Sequence, residues 1–286
     1  MIRPHWRIAR VEVVLLSVFG DESADEKASR TFAVAGIVGT EPQWIAAEEQ
    51  WLECTGGEIF HAADCEYRGG LSLYKDLTTV LVDSALGAYG VAIDLAAVEE
   101  LLPDLPADAK YLRCFTEVVR YLVTNVAAPR QESIQFTFDQ RSQSPYNAEK
   151  MYDLVANSRG GRLDPFLEST VAFTSRKNPR IQMADLVARE TMKAQDNRTL
   201  GRQPRKSLVA LGESDTLLVD FIDRNYCLRW RAAIDRFRQS DYGEAGYSAW
   251  LDKNRLQNNL TNRIAYTAWL YDTGQFDDSE AGVDNE

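Results

Sequence analysis

Two apolar runs limit most tightly what this chain can become. Residues 12–20 (EVVLLSVFG) are β-branched and aromatic, and TFAVAGIVG (31–39) follows after a short polar turn. Continuous apolar runs of this length read as buried strands, and their spacing predicts a hairpin. Gly20 reads as the end of the first strand. Immediately after it Asp21, Glu22, Asp25 and Glu26 crowd together. A buried strand that runs into four carboxylates either enters a solvated turn or delivers acids to a site. Asp25 and Glu26 are expected in the solvated turn, and Asp21 and Glu22 at the strand end.

The rest of the chain alternates strand and helix signals. A helix is expected at 42–53 with Pro42 in its first turn. An irregular piece, GGEIFHAADCEYRGG, lies between two glycine pairs, and a helix follows at 71–86. The YGVAIDL core of 88–98 reads as a strand. Residues 108–127 form a helix on which Leu112, Phe115, Val118, Val119 and Leu122 repeat at three- and four-residue steps. SIQFTFDQR (133–141) alternates Ile134, Phe136 and Phe138 and ends in Asp139. A helix at 145–157, a strand at 169–174 and a helix at 180–195 complete the order β-β-(insert)-β-α-β-α-β-α. This predicts an α/β domain over 10–200 with an insert at about 40–87. Gly201–Lys206 reads as a linker and 207–270 as a helical C-terminal lobe. Residues 272–286, with six acids and no base, read as a frayed, solvating tail.

Composition removes several function classes. A net charge of −11 argues against coating nucleic acid by bulk charge. The charge is uneven, however: 159–206 holds eleven Lys and Arg against five Asp and Glu. Four cysteines without a CxxC pair and only two histidines point away from a disulfide framework and from structural zinc. The apolar run near the start is too short to span a bilayer and has no small-residue cleavage pattern, so a cytoplasmic protein is expected. No GxxxxGK[ST] loop is present. An aspartyl-nucleophile phosphatase commonly carries a second Asp two positions on, where Ser23 stands here.

Three acids stand out by their neighbours. Asp21 ends the first strand, Asp139 ends the alternating strand, and Asp185 sits on the last helix at the margin of its apolar arc. A partly desolvated carboxylate is costly unless paired or bound to a cation, and hard divalent cations prefer such oxygen ligands. Glu117, on the helix between the third strand and the Asp139 strand, is a fourth candidate. Together they match the layout of a two-metal phosphodiesterase. Taken singly, an Asp past a strand also suits a turn, and a helical Glu usually faces solvent. Their joint pattern carries more weight than any one acid.

Asp21-Glu22-Ser23, Phe60-His61-Ala62, Phe138-Asp139 and Gln182-Met183-Ala184-Asp185 resemble the motifs of the bacterial family known as domain of unknown function 3800. The resemblance spans roughly residues 14 to 195. It implies a ribonuclease H-like mixed sheet with helices on both faces. It also implies a site at Asp21, Glu22, Asp139 and Asp185 with His61 beside it, and Glu117 joins this set on topology alone. His61 suits a structural hydrogen bond, or positions water or a phosphate near neutral pH. Ala24 departs from the family's usual glycine and would be strained if that position required positive φ.

The expectation is therefore a Mg2+- or Mn2+-dependent phosphodiester hydrolase, a nuclease, with the metal on Asp21, Asp139 and Asp185. Arg176, Lys177 and Arg180 would meet the phosphates of a nucleic acid, and no membrane is involved. The alternative is a non-catalytic ribonuclease H-like scaffold that binds a protein or nucleic acid partner.

Overall fold

Six strands form one mixed sheet in a computed structural model that describes residues 15–25, 27, 29–103, 109–139, 152, 166–168 and 170–239. β1 (Leu16–Ala24), β2 (Thr31–Thr40) and β3 (Gly87–Asp94) make an antiparallel meander. β4 (Ile134–Asp139) runs parallel to β1 on its other side, and β5 (Ala172–Thr174) runs parallel to β4. β6 (Leu217–Ile222) lies parallel to β3 at the opposite edge, giving the order β5-β4-β1-β2-β3-β6. Without β6, this order and these directions are the ribonuclease H-like arrangement.

The insert between β2 and β3 consists of α1 (Glu41–Thr55), α2 (Ala62–Tyr67) and α3 (Leu71–Asp83). The start of α1 is fixed locally: the Thr40 N–H donates to Gln43 Oε1 at 2.8 Å, and Pro42 occupies the first turn. After β3 come α4 (Leu95–Leu101) and α5 (Ala109–Leu122), which a π-helical turn, Val123–Ala127, extends. α6 (Pro179–Thr199) follows β5; the Asn178 side chain caps it by accepting the Arg180 N–H at 2.9 Å. α7 (Lys206–Glu213) and α8 (Arg224–Gln239) flank β6.

The sheet separates two cores. Leu16, Val18, Val34, Val91, Phe136 and Phe138 face Phe115, Val118, Val119 and Trp230 of α5 and α8. Phe19, Ala35 and Ile37 face Trp44, Trp51, Leu77, Ile181 and Leu186 of α1, α3 and α6. α6 thus lies between the sheet and the insert, and every residue from Ile181 to Met192 is buried. A helix buried all round must satisfy any charge it carries within the protein. It approaches β3 so closely that a Cβ on Gly90 would stand 2.2 Å from Thr191 Oγ1.

Three expectations need correction. Gly20 does not end β1; the strand continues through Asp21 to Ala24, and Gly20 sits mid-strand beneath the Phe138 ring. Residues 217–222 are not helical: LLVDFI adds a sheet strand, so the stretch from 207 begins as part of the α/β layers. Asp25 is not solvated but buried, accepting the N–H groups of Ser29, Arg30 and Thr31 at 2.9, 2.9 and 3.1 Å. Ala24 lies within β1 and is not among the residues with positive φ, so its departure from glycine brings no backbone strain. The expected helix at 145–157, apart from Tyr152, lies outside the described residues, as do 10–14, the rest of the lobe beyond 239 and the acidic tail. Among the described residues no helix is long and apolar enough to cross a membrane.

Candidate carboxylate site

Side-chain alternation decides which acids meet. On β4, Ile134, Phe136 and Phe138 point into the α5 core, which leaves Asp139 on the opposite face. On β1, Phe19 packs on the α6 side, and Asp21, two residues on, points the same way. The strands are parallel with Gly20 opposite Phe138, so Asp21 and Asp139 stand side by side one step further. Neighbouring strands are about 4.8 Å apart. α6 crosses this face and carries Asp185. All three acids are buried, with Asp21 at 1%, Asp139 at 5% and Asp185 at 6% exposure.

Their electrostatics reflect that crowding. Burial pushes the Asp21 carboxyl well above its ordinary range, and the charges of Asp185, Glu22 and Asp139 push it further. The Glu22 N–H, which donates to Asp21 Oδ1 at 2.7 Å, pulls it down. Asp21 Oδ2 is buried without a hydrogen-bond partner among the described residues. Burial also raises Asp185, opposed by the charge of His61, the Ala62 N–H and the guanidinium groups of Arg176 and Arg189. Asp185 Oδ2 accepts the Ala62 N–H at 2.7 Å. Asp139 Oδ2 accepts from Arg176 Nε at 3.0 Å.

His61 caps α2. Its Nδ1 accepts the Asp64 N–H at 3.4 Å, and its Nε2 lies 4.0 Å from Asp185 Oδ2, so the half-buried ring borders the cluster. The insert is held there by Gln182, whose Oε1 accepts from the Phe60 N–H at 3.0 Å and from Trp51 Nε1 at 3.2 Å. Gln182 Nε2 donates to the Arg176 carbonyl at 3.1 Å. Gln182 therefore braces both sides of the site, a role its place in the motif did not reveal.

The other expected residues divide. Glu22 alternates to the far face of β1 and reaches the cluster through its charge and its N–H. Glu117 stands elsewhere: it is ion-paired with Arg113 and Arg120 at 2.8 and 2.7 Å and lines a cavity of about 400 Å³ with Tyr89 and Asp220. Its register on α5 turns it toward β3 and β6 rather than toward β1. Arg180 is bound to Glu41 and Glu48 of α1 at 2.7 and 2.8 Å and lies over the Phe19 and Trp44 rings. Arg189 and Arg205 are likewise held by Glu66. Much of the basic excess in 159–206 is thus internal, while Lys177, Arg202 and Lys206 remain exposed.

Three buried carboxylates with an unmet oxygen form a donor set suited to a hard divalent cation. As the side chains stand, no group of three His, Cys, Asp or Glu residues among the described ones is gathered tightly enough to hold one ion. No protein-family model matches the chain, and no curated protein matches it. A chain of the solved PCNA:RNase HII complex from Archaeoglobus fulgidus aligns with 69% of this chain and 87% of its own length. Its identity is 11% and its TM-score 0.39, a likeness too slight to argue from. The ribonuclease H-like assignment stands on strand order and direction.

Proposed function

We propose that Asp21, Asp139 and Asp185 bind Mg2+ or Mn2+ and that the protein is a metal-dependent phosphodiester hydrolase acting on nucleic acid. The observation that carries this is Asp21 Oδ2, a buried carboxylate oxygen without a donor, flanked by two more buried acids on the same face. Such a cluster is destabilised by its own repulsion and desolvation, and a bound cation relieves both. When bound, a divalent ion supplies activation of water and stabilisation of the leaving oxygen.

The chain's own residues take the remaining roles. His61, beside Asp185 and partly open to solvent, exchanges a proton with water or the leaving group. Arg176 and Lys177, on the turn before α6, face the phosphate. Arg180 is withdrawn from that role by Glu41 and Glu48, and Glu117 by Arg113 and Arg120.

The test combines melting temperature with and without millimolar Mn2+ and cleavage of labelled RNA and DNA strands, in wild type and Asp185→Asn. Mn2+ should raise the wild-type melting temperature, by about 2.7 kcal/mol of stability at a hundredfold excess over Kd. Asp185→Asn should lose both the shift and the cleavage. No shift and no cleavage in wild type would sink the proposal.

A second reading, a non-catalytic scaffold for a protein or nucleic acid partner, is favoured by the Arg176–Asp139 ion pair, which gives the cluster a counter-ion without metal. It requires that wild type and Asp185→Asn respond identically to Mn2+.

A further inference from the structure

We propose that Arg176 is a built-in competitor for the cation: its guanidinium neutralises the carboxylate cluster in the metal-free protein and must move off Asp139 when a divalent ion binds. This rests on the metal-binding reading of Asp21, Asp139 and Asp185, and adds that the cluster's affinity is set by a residue that is not a ligand.

The placement of Arg176 supports exchange. Its main chain is fixed, because its carbonyl accepts from Gln182 Nε2 at 3.1 Å and the next turn closes through the Asn178 N–H to the Ser175 carbonyl at 3.0 Å. Its side chain is about half exposed and, among the described residues, is held by one side-chain hydrogen bond, from Nε to Asp139 Oδ2 at 3.0 Å. That is a single bond, not the two-pronged grip a guanidinium makes on a carboxylate it holds permanently. Arg180 shows the contrast, with both Nη groups on Glu41, Nε and Nη2 on Glu48, and little exposure.

The charge of Arg176 acts on the whole cluster. It pairs directly with Asp139, and Asp21 and Asp185 are buried on the same face beside that acid. One guanidinium still leaves Asp21 Oδ2 without a hydrogen-bond donor among the described residues, so the cluster retains an acceptor open to a second cation. A divalent ion at the same acids would repel a guanidinium a few ångströms away. The two cations therefore compete, and Arg176 leaves by rotating a side chain already open to solvent. An anion that draws the guanidinium outward should strengthen metal binding, which would couple loading of the ion to arrival of a phosphate.

The test is a Mn2+ titration of the full chain by calorimetry, with melting curves in parallel, for wild type, Arg176→Gln, Arg176→Met and Arg176→Lys. Both neutral variants should bind Mn2+ about tenfold more tightly than wild type, the scale expected when a neighbouring like charge is removed at a partly exposed site. Arg176→Lys should stay near wild type, because it keeps the charge. Equal or weaker Mn2+ binding in the two neutral variants, with wild type binding normally, overturns the competitor role and leaves the metal site standing. Binding by neither wild type nor variant overturns the metal site and the competitor role together. Binding by the neutral variants alone is the strongest form of the expected result.

Discussion

Asp185 Oδ2 accepts the backbone N–H of Ala62 at 2.7 Å, so the acid on the last core helix also anchors the inserted segment. One turn earlier on α6, Gln182 receives the Phe60 N–H and Trp51 Nε1. The insert is therefore docked through polar bonds that converge on the same helix face as the candidate site. His61 lies between these two anchors in sequence, and its distance from Asp185 depends on both. The geometry of the imidazole is a property of α6 as much as of α2.

Gln182→Ala separates docking from charge. It leaves two buried donors without their acceptor, each worth about 1–3 kcal/mol when unsatisfied. Urea denaturation should show a loss of about 2–4 kcal/mol. A stabilising response to Mn2+ should persist, because the three acids remain. An unchanged urea midpoint would mean that water replaces Gln182 and that the brace is not structural.

Asp21→Asn should make the metal-free protein more stable. The folded state holds the Asp21 proton more tightly than the unfolded chain does. It therefore binds more protons, and stability falls as pH rises above the unfolded carboxylate value of about 3.9. The loss continues until the pH passes the raised folded value. The amide removes this contribution, so the advantage of Asp21→Asn should be absent below about pH 4 and grow toward neutrality. Melting curves from pH 4 to 8 in chelator check it. A variant less stable than wild type at pH 7 would show that the carboxylate is not under strain.

Asp25 titrates in the opposite sense. Burial raises it, but the N–H groups of Thr31, Arg30, Ser29 and Lys27 outweigh that and hold it below its ordinary value. Its contribution is full above the unfolded pKa and disappears as pH falls through the lowered folded value. Asp25→Ala should cost about 2 kcal/mol at pH 7, as loss of a multiply bonded turn carboxylate, and the gap to wild type should close in acid. A gap that persisted at pH 2 would assign the effect to packing.

Much of the sheet was legible because buried strands announce themselves as apolar runs. β2 and β4 lie where their β-branched and aromatic residues predict, and β1 overlaps its apolar run from Leu16 but continues past Gly20. β6 is harder to read: LLVDFI is a six-residue edge strand in which every residue but Asp220 is apolar, and so short an apolar run does not distinguish a strand from a buried helix segment by periodicity. The burial of Asp25 is hidden in the sequence for a different reason. Composition marks a turn as polar but does not say that one carboxylate will collect its N–H groups. Topology alone places Glu117 with the acids, yet helical register is finer than topology. A turn of roughly 100° per residue sends a side chain toward a different strand, and Arg113 and Arg120 at i−4 and i+3 hold it there. The pairing of Arg180 with α1 was equally hidden, since it joins residues more than 130 positions apart.

Glycine interrupts an apolar run and so reads as a stop, whereas the role of Gly20 here is steric. A Cβ at Gly20 would lie 2.4 Å from Phe138 Cε1 and 2.9 Å from the Ala35 carbonyl oxygen. The ring cannot simply retreat, because it packs against Phe115 with centroids 4.6 Å apart. The carbonyl is strand backbone and cannot yield either. Gly20→Ala should therefore cost about 1–3 kcal/mol through overpacking. Gly20 and Phe138 immediately precede Asp21 and Asp139, so the same displacement should spread the acids and weaken any Mn2+ response. Phe138→Leu in the Gly20→Ala background makes room for the added methyl. The double variant should be more stable than the sum of the single losses predicts, with a coupling of about 1 kcal/mol or more. Additive losses in that cycle would show that the Cβ meets the backbone alone, and that the aromatic ring does not set the spacing of the two strands.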